Sequence, residues 1–396
     1  MGQSQPDFLT VENGRWLPPH DSVDASASVD ASASIDASAD ATRTRRHCDE
    51  RYNADVTWSR RPRDAGATPT GRGVPLGYGC TERKGVTMGP MDSERTIFEG
   101  FEGLHLVADV RGDPDAWPVL FLHGGGQTRF AWGRTAELVA QDGWRTVALD
   151  QRGHGESDWA PNGDYSFTSF CADTVAVCDE LGKPPVLVGA SLGGMAAMLA
   201  EGTSDRTVSS GLVLVDITPN SNPEGIERIR HFMESGLDGF ATLEDAAAAI
   251  SSYTPNREKR VNPEGLKKVL RQRDGRWFWH WDPAFIGRGR TEVVPNRLAG
   301  LLDVAMNNIH VPTLLVRGLL SDVVTQEGAD ELVARIPGAT VVGVEGAAHM
   351  IAGDKNDAFS DAVVNFLDER IRPTITSREG DGVADVDDTP VDPAER

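Results

Sequence analysis

Val186-Leu187-Val188-Gly189-Ala190-Ser191-Leu192-Gly193-Gly194 is an apolar run that breaks into Gly-x-Ser-x-Gly and continues into the helix-forming Met195-Ala196-Ala197-Met198-Leu199-Ala200. The pattern predicts a strand, a sharp turn and a helix, with Ser191 at the turn. Glycines on either side of the serine let the strand and helix backbones approach closely. A serine held there projects its hydroxyl into a cleft, and the Leu192 N–H that follows opens the helix and points the same way. Ser191 is therefore the candidate nucleophile.

Strand and helix patterns alternate outward from this turn. Leu104–Val110, Pro118–Leu122, Arg145–Leu149, Gly211–Val215, Pro312–Val316 and Thr340–Val344 read as strands. Thr128–Gln141, Phe167–Leu181, Thr325–Ile336 and Asn356–Arg370 read as helices. Alternation of this kind predicts an α/β fold, a mostly parallel central sheet with helices on both faces. Between Pro219 and Ile309 the rhythm stops, and Arg- and Trp-rich segments without strand signals predict an inserted helical cap. The expected organisation is a core at 91–218 and 310–372 with the cap at 219–309. Such a cap would sit over the C-terminal edge of the sheet, where folds of this class bind ligands.

A serine nucleophile needs a base, and the base needs an orienting acid. His349 follows the final strand in a loop of small residues, Gly346-Ala347-Ala348-His349, and is the expected base. Asp322, beyond the strand that precedes it, is the expected acid; Asp216, closing Leu212-Val213-Leu214-Val215, is its competitor. The oxyanion needs preorganised N–H donors. Leu192 supplies one, and the run His123-Gly124-Gly125-Gly126-Gln127 after Leu120-Phe121-Leu122 supplies the other, from Gly125 first and Gly126 second. His123 is expected to brace that loop. Gly126, Gln127, Trp277, Trp279 and Trp281 are expected to line the substrate pocket, and His280 to join the aromatic packing of the cap.

Together these residues resemble the α/β-hydrolase superfamily, in its capped serine-hydrolase branch. The order Ser191, Asp322, His349, the His-Gly-rich loop and the Gly-x-Ser-x-Gly-Gly elbow carry the resemblance. So does Asp150-Gln151-Arg152-Gly153-His154-Gly155-Glu156-Ser157, which in that branch is a structural turn beside the active site. The resemblance spans about residues 97–371. It implies the α/β-hydrolase fold and hydrolysis of a small apolar ester or thioester without cofactor or metal. C–C bond hydrolases of ring-cleavage products, acting on ketones, and cofactor-free perhydrolases or haloperoxidases resemble the chain equally; a receptor-like relative without turnover is the non-enzymatic alternative. Ser191 at the elbow departs from the Asp of related epoxide hydrolases and haloalkane dehalogenases, which sets those activities aside.

Composition narrows the partners. Of 396 residues, 39% are hydrophobic and 25% charged, in the range of globular proteins. A net charge of -21 opposes binding to nucleic acid and to anionic membranes. No apolar run reaches the roughly 18 residues of a membrane span, and the N-terminus has no signal-peptide pattern. Cys48, Cys80, Cys171 and Cys178 lack metal or redox spacing and read as free thiols of a cytoplasmic protein. Residues 1–90 carry a six-residue repeat of small and acidic residues (Val23–Ser28, Val29–Ser34, Ile35–Asp40) and are expected to be disordered, as is the acidic tail 373–396. Met88 and Met91 are candidates for the native start.

Overall fold

A strand buried on both faces must be apolar throughout, and the short runs Pro-Val-Leu-Phe-Leu and Gly-Leu-Val-Leu-Val meet that condition without one polar side chain. The computed structural model describes residues 10–12, 15–17, 91–253, 261–286, 295–349 and 356–381. The chain divides into two units, Met1–Val86 and Thr87–Arg396. In the first, Thr10–Glu12 (β1) and Arg15–Leu17 (β2) pair antiparallel, where only disorder was expected. The six-residue repeat and Met88 lie outside the described residues, whereas Met91 is their first residue in the second unit.

The second unit is built on an eight-stranded sheet. Its members are β3 (Glu94–Glu99), β4 (His105–Arg111), β5 (Pro118–Leu122), β6 (Arg145–Leu149), β7 (Val186–Ala190), β8 (Gly211–Val215), β11 (Thr313–Gly318) and β12 (Thr340–Val344). Their spatial order is β12-β11-β8-β7-β5-β6-β4-β3. β4 pairs antiparallel with both β3 and β6, and the six strands from β6 to β12 run parallel. The mostly parallel α/β sheet expected from the alternation is therefore present. β3 was missed because Glu-Arg-Thr-Ile-Phe-Glu buries only Phe98.

Helices cover both faces. On one, α1 (Gly133–Gln141) packs beside α8 (Asn356–Phe366), with Thr135 Oγ1 and Ser360 Oγ hydrogen-bonded at 2.9 Å in the interior. Phe121, Trp132, Trp144, Phe359 and Phe366 fill the core between these helices and the sheet. On the other face lie α2 (Phe167–Glu180), α3 (Leu192–Thr203) and α6 (Pro295–Asn308). Ser166 caps α2 by accepting the Ser169 N–H at 3.2 Å. A Cβ on Gly202 of α3 would stand 2.5 Å from Ala305 Cα of α6, so glycine sets their close crossing. The Asn308 side chain also donates to the Gly202 carbonyl at 2.9 Å. α6 thus packs on the core, although the expected cap extended to residue 309.

Between β8 and α6 the chain forms α4 (Pro223–Glu234), α5 (Leu243–Tyr253) and an antiparallel hairpin, β9 (Leu270–Arg273) with β10 (Arg276–Trp279). The hairpin was not foreseen; its strands carry three arginines and a glutamine, which hide the alternation that marks strands. α7 (Gln326–Arg335) joins β11 to β12. After α8 a π-helical turn at Leu367–Ile371 leads into α9 (Arg372–Asp381), where disorder was expected from residue 373. Among the described residues no helix is long and apolar enough to cross a membrane.

Glycine decides the crossing of α3 over the sheet. A Cβ on Gly193 would stand 2.6 Å from the Leu122 carbonyl carbon, and one on Gly189 2.6 Å from the Gly193 carbonyl carbon. Both clashes are with backbone, which cannot rotate away. Gly193→Ala is expected to destabilise the protein by about 1–3 kcal/mol, seen as a lower denaturant midpoint in equilibrium unfolding with an unchanged slope.

Candidate active site

Ser191 stands between β7 and α3 with φ 47° and ψ -109°, a conformation L-residues avoid. It is held there by its N–H on the Val215 carbonyl at 3.2 Å and by its own carbonyl, which accepts the Met195 N–H at 3.0 Å. Leu192 is the first residue of α3, so its N–H has no intrahelical acceptor. Strain at the serine and a free donor beside it follow from one turn.

The glycine loop after β5 lies beside this turn: a Cβ on Gly124 would be 3.6 Å from Ser191 Cβ. Its N–H groups are unequally occupied. Gly124 N–H donates to Gln127 Oε1 at 2.9 Å, and Gly126 N–H to His154 Nε2 at 3.1 Å. Gly125 N–H has no partner among the described residues. The first-ranked donor of the loop is thus left available, whereas the second, Gly126, is engaged. Gln127, expected in the pocket, instead braces the loop through its side chain.

His349 and Asp322 do not meet. His349 Nδ1–H donates to Asp216 Oδ2 at 2.8 Å, and Asp216 is fully buried. The same carboxylate accepts the Gly318 N–H at 3.0 Å and the Ser321 hydroxyl. Asp322 is 47% exposed at its side chain and pairs with Arg228 of α4. The reason is local. Beyond β11 the chain turns at once, with Leu319 N–H on the Val344 carbonyl (3.1 Å), Leu320 N–H on the Ala347 carbonyl (2.9 Å) and Ser321 N–H on the Gly318 carbonyl (3.0 Å). This turn directs Ser321 at Asp216 and carries Asp322 outward. Asp216 directly follows β8, the neighbour of the strand bearing Ser191, and its φ of 47° marks a second strained position. The acid expected at Asp322 is therefore displaced by Asp216 in the geometry.

The bond to Asp216 fixes the His349 tautomer, leaving Nε2 as the lone-pair nitrogen. Gly318 permits the approach, since a Cβ there would stand 2.5 Å and 2.6 Å from the Ala348 and Ala347 carbonyl oxygens. Small residues in the histidine loop thus meet a glycine at the strand end.

The segment between β8 and α6 covers the glycine loop. A Cβ on Gly126 would be 3.0 Å from Met233 Cε and 3.1 Å from Trp281 Cζ3, and one on Gly125 3.4 Å from Phe285 Cζ. Trp281 stacks on Trp279 at 4.7 Å between centroids. Trp277 exchanges both backbone hydrogen bonds with Phe240 (2.7 and 2.8 Å), so it secures the hairpin. Of the three tryptophans expected at the pocket, Trp281 packs against Gly126 of the loop. Met233 was not foreseen, having no neighbouring motif to flag it.

His123, His154 and His280 are all buried. Burial holds the His123 pKa below its ordinary 6.5, against the pull of Asp150. His280 is pushed down to about 3, by burial first and then by His123. The turn from Asp150 to Ser157 is tied down by buried ion pairs: Arg129 with Asp150, and Arg152 with Asp173 at 2.6 and 2.8 Å. Among the described residues no cluster of His, Cys, Asp or Glu could hold a metal ion.

With this geometry in place, similarity to known proteins becomes informative. A model of the "Alpha/beta hydrolase family" matches residues 119–362. Esterase Rv0045c of Mycobacterium tuberculosis is 30% identical over 302 residues, 73% of this chain and 93% of its own. The 3-hydroxybutyrate-oligomer hydrolase of Cupriavidus necator is 30% identical over 247 residues, 59% of this chain and 83% of its own. A solved structure of the M. tuberculosis esterase matches with a TM-score of 0.58 at 28% identity, covering 72% of this chain and 94% of that one.

Two measurements separate the acids and test the histidines. Asp216→Asn, which removes the charge that holds His349, is expected to lower kcat for an ester by about 10²–10⁴-fold; Asp322→Asn is expected to stay within about twofold of wild type. For stability, the unfolded chain takes up protons on His123 and His280 below pH 6.5, while folded His280 resists until about 3. This contribution is complete above pH 6.5 and is lost as the pH falls. Each such histidine costs up to about 1.4 kcal/mol per pH unit. Urea unfolding between pH 7 and 5 should show that slope, and His280→Gln should reduce it.

Proposed function

Because this chain belongs to the alpha/beta hydrolase family, we propose that it is a serine hydrolase cleaving a carboxylic ester or thioester through an acyl-enzyme. The observation that carries this reading is the meeting of three features at one sheet edge. They are Ser191 on its strained turn, the unengaged Gly125 N–H beside it, and His349 tautomerically fixed by Asp216. The names of the relatives, an esterase and an oligoester hydrolase, support ester bonds as the substrate class.

His349 Nε2 takes the Ser191 hydroxyl proton as Oγ bonds the carbonyl carbon. The carbonyl electron pair moves to oxygen, where the Gly125 and Leu192 N–H groups receive it, each donor contributing about 3–4 kcal/mol to the transition state. Collapse expels the alcohol or thiol, which leaves with the proton held by His349. Water, deprotonated by the same nitrogen, then attacks the acyl carbon and frees Ser191 and the acid. Asp216 holds the imidazolium throughout. The segment from α4 to the β9–β10 hairpin acts as the cap, and Met233, Trp281 and Phe285 above the glycine loop favour an apolar acyl group.

Cys171 and Cys178 are buried free thiols, and burial pushes the Cys171 pKa up to about 12. They act as packing groups.

Ser191→Ala is expected to abolish turnover of a short p-nitrophenyl ester and labelling by a fluorophosphonate. A panel of ester, thioester and ring-cleavage dienone substrates run in competition with that probe should show protection by the first two. Preferential turnover of the dienone would instead assign the C–C hydrolase reaction.

A further inference from the structure

The oxyanion loop is held peptide by peptide, and each peptide answers to a different histidine. The Gly124 carbonyl accepts His123 Nδ1–H at 2.8 Å. The Gly126 N–H donates to His154 Nε2 at 3.1 Å. The Gly126 carbonyl accepts His280 Nε2–H at 3.3 Å. The opposite ring nitrogens are anchored on one stretch of backbone. His123 Nε2 accepts the Gln151 N–H at 3.0 Å, His154 Nδ1–H donates to the Arg152 carbonyl at 2.9 Å, and His280 Nδ1 accepts the Gly155 N–H at 2.7 Å. Each tautomer follows from these partners: a ring nitrogen facing an N–H must accept, so its opposite nitrogen carries the proton.

The peptides here are trans, so the carbonyl and N–H of one unit point in opposite directions. Fixing the Gly124 carbonyl therefore aims the Gly125 N–H away from His123, and fixing Gly126 at both its N–H and its carbonyl stops the next two peptides from rotating. His123 and His154 belong to the core. His280 follows β10 in the inserted segment, and it alone ties that segment to the loop through a side-chain hydrogen bond among the described residues.

We propose that His280 is a positioning residue for the Gly125 oxyanion donor, so that the oxyanion hole is complete only while the inserted segment is seated on the Asp150–Ser157 turn. Seating rests on neighbouring contacts as well. Asp282 N–H meets the Gly153 carbonyl at 2.9 Å, the Tyr165 hydroxyl donates to Asp282 Oδ2 at 2.6 Å, and Arg271 donates to the Gly155 carbonyl. Seating of the inserted segment and formation of the oxyanion site are thereby linked through one imidazole. The inference rests on the serine-hydrolase reading of the site.

The test compares wild type, His280→Phe, His280→Met and His280→Gln with a short p-nitrophenyl ester and an aryl trifluoromethyl ketone, which forms an oxyanion on Ser191. Phe has neither donor nor acceptor and Met only a weakly accepting sulfur, with nothing to donate to the Gly126 carbonyl; Gln offers both a donor and an acceptor. The Phe and Met variants are expected to lose about 10–100-fold in kcat with KM within threefold, as for a misplaced catalytic group. Their affinity for the ketone is expected to fall by the same factor as kcat/KM, and Gln to recover most of both. A role confined to folding would lower the thermal midpoint and leave kcat and ketone affinity of the folded fraction unchanged, which overturns the proposal. Should one apolar variant not fold, the other compared with Gln decides. An active wild type with undiminished kcat in these variants defeats this inference alone. A wild type that neither turns over nor reacts with a fluorophosphonate defeats the serine-hydrolase reading beneath it.

Discussion

Backbone meeting backbone at the C-terminal edge of the sheet is the constraint from which the rest of the molecule follows. Gly193 lies on the Leu122 carbonyl, Gly189 on Gly193, and Gly318 on the Ala347 and Ala348 carbonyls. At each of these contacts a single methyl group would force chains apart. Because they hold, the ends of β5, β7, β8 and β11 and the loop after β12 converge, although they come from positions more than 200 residues apart in the chain. Strain is concentrated at the same edge. Two of the four non-glycine residues with positive φ among the described residues are Ser191 and Asp216, and such conformations last only where the surroundings over-determine them.

Most of the charged and imidazole groups behind that edge are paired. Asp216 has three donors, the three buried histidines are each paired at both ring nitrogens, and the Arg129 and Arg152 guanidinium groups meet carboxylates. Buried polar groups without partners cost free energy, so this network tolerates few alternative arrangements. It also explains why Asp150 is followed by Gly155: a Cβ at that glycine would overlap the Asp150 carboxylate. The turn that the sequence marks only as a motif is a scaffold for the loop opposite it.

How much could be read from sequence depended on whether a feature is local. Ser191 and the glycine loop are spelled out by contiguous residues, and the central strands by uninterrupted apolar runs. β3 and the β9–β10 hairpin escaped because one is half-exposed at the sheet edge and the other is arginine-rich. The acid is the instructive case. Asp216 and Asp322 both follow apolar strands, and only the spatial order β11-β8-β7, together with the tight turn at Gly318–Ser321, directs Asp216 rather than Asp322 to His349. His280 looked like one more ring in a Trp-rich stretch because its two partners, Gly126 and Gly155, are backbone groups more than 120 residues away.

The placement of His349 has a consequence for how this protein ages. Ser191 stands on β7, inside the sheet with strands on both sides, whereas His349 hangs from β12, the terminal strand, hydrogen-bonded to a neighbour on one side only. Val341 of that strand is 38% exposed, and strands paired on one side open at lower free energy than the interior. If His349 serves Ser191 as proposed, fraying there would part the imidazole from the hydroxyl while the buried sheet stands intact. Gentle heating should therefore silence the enzyme reversibly, with its core still protected from hydrogen exchange, before any global transition begins.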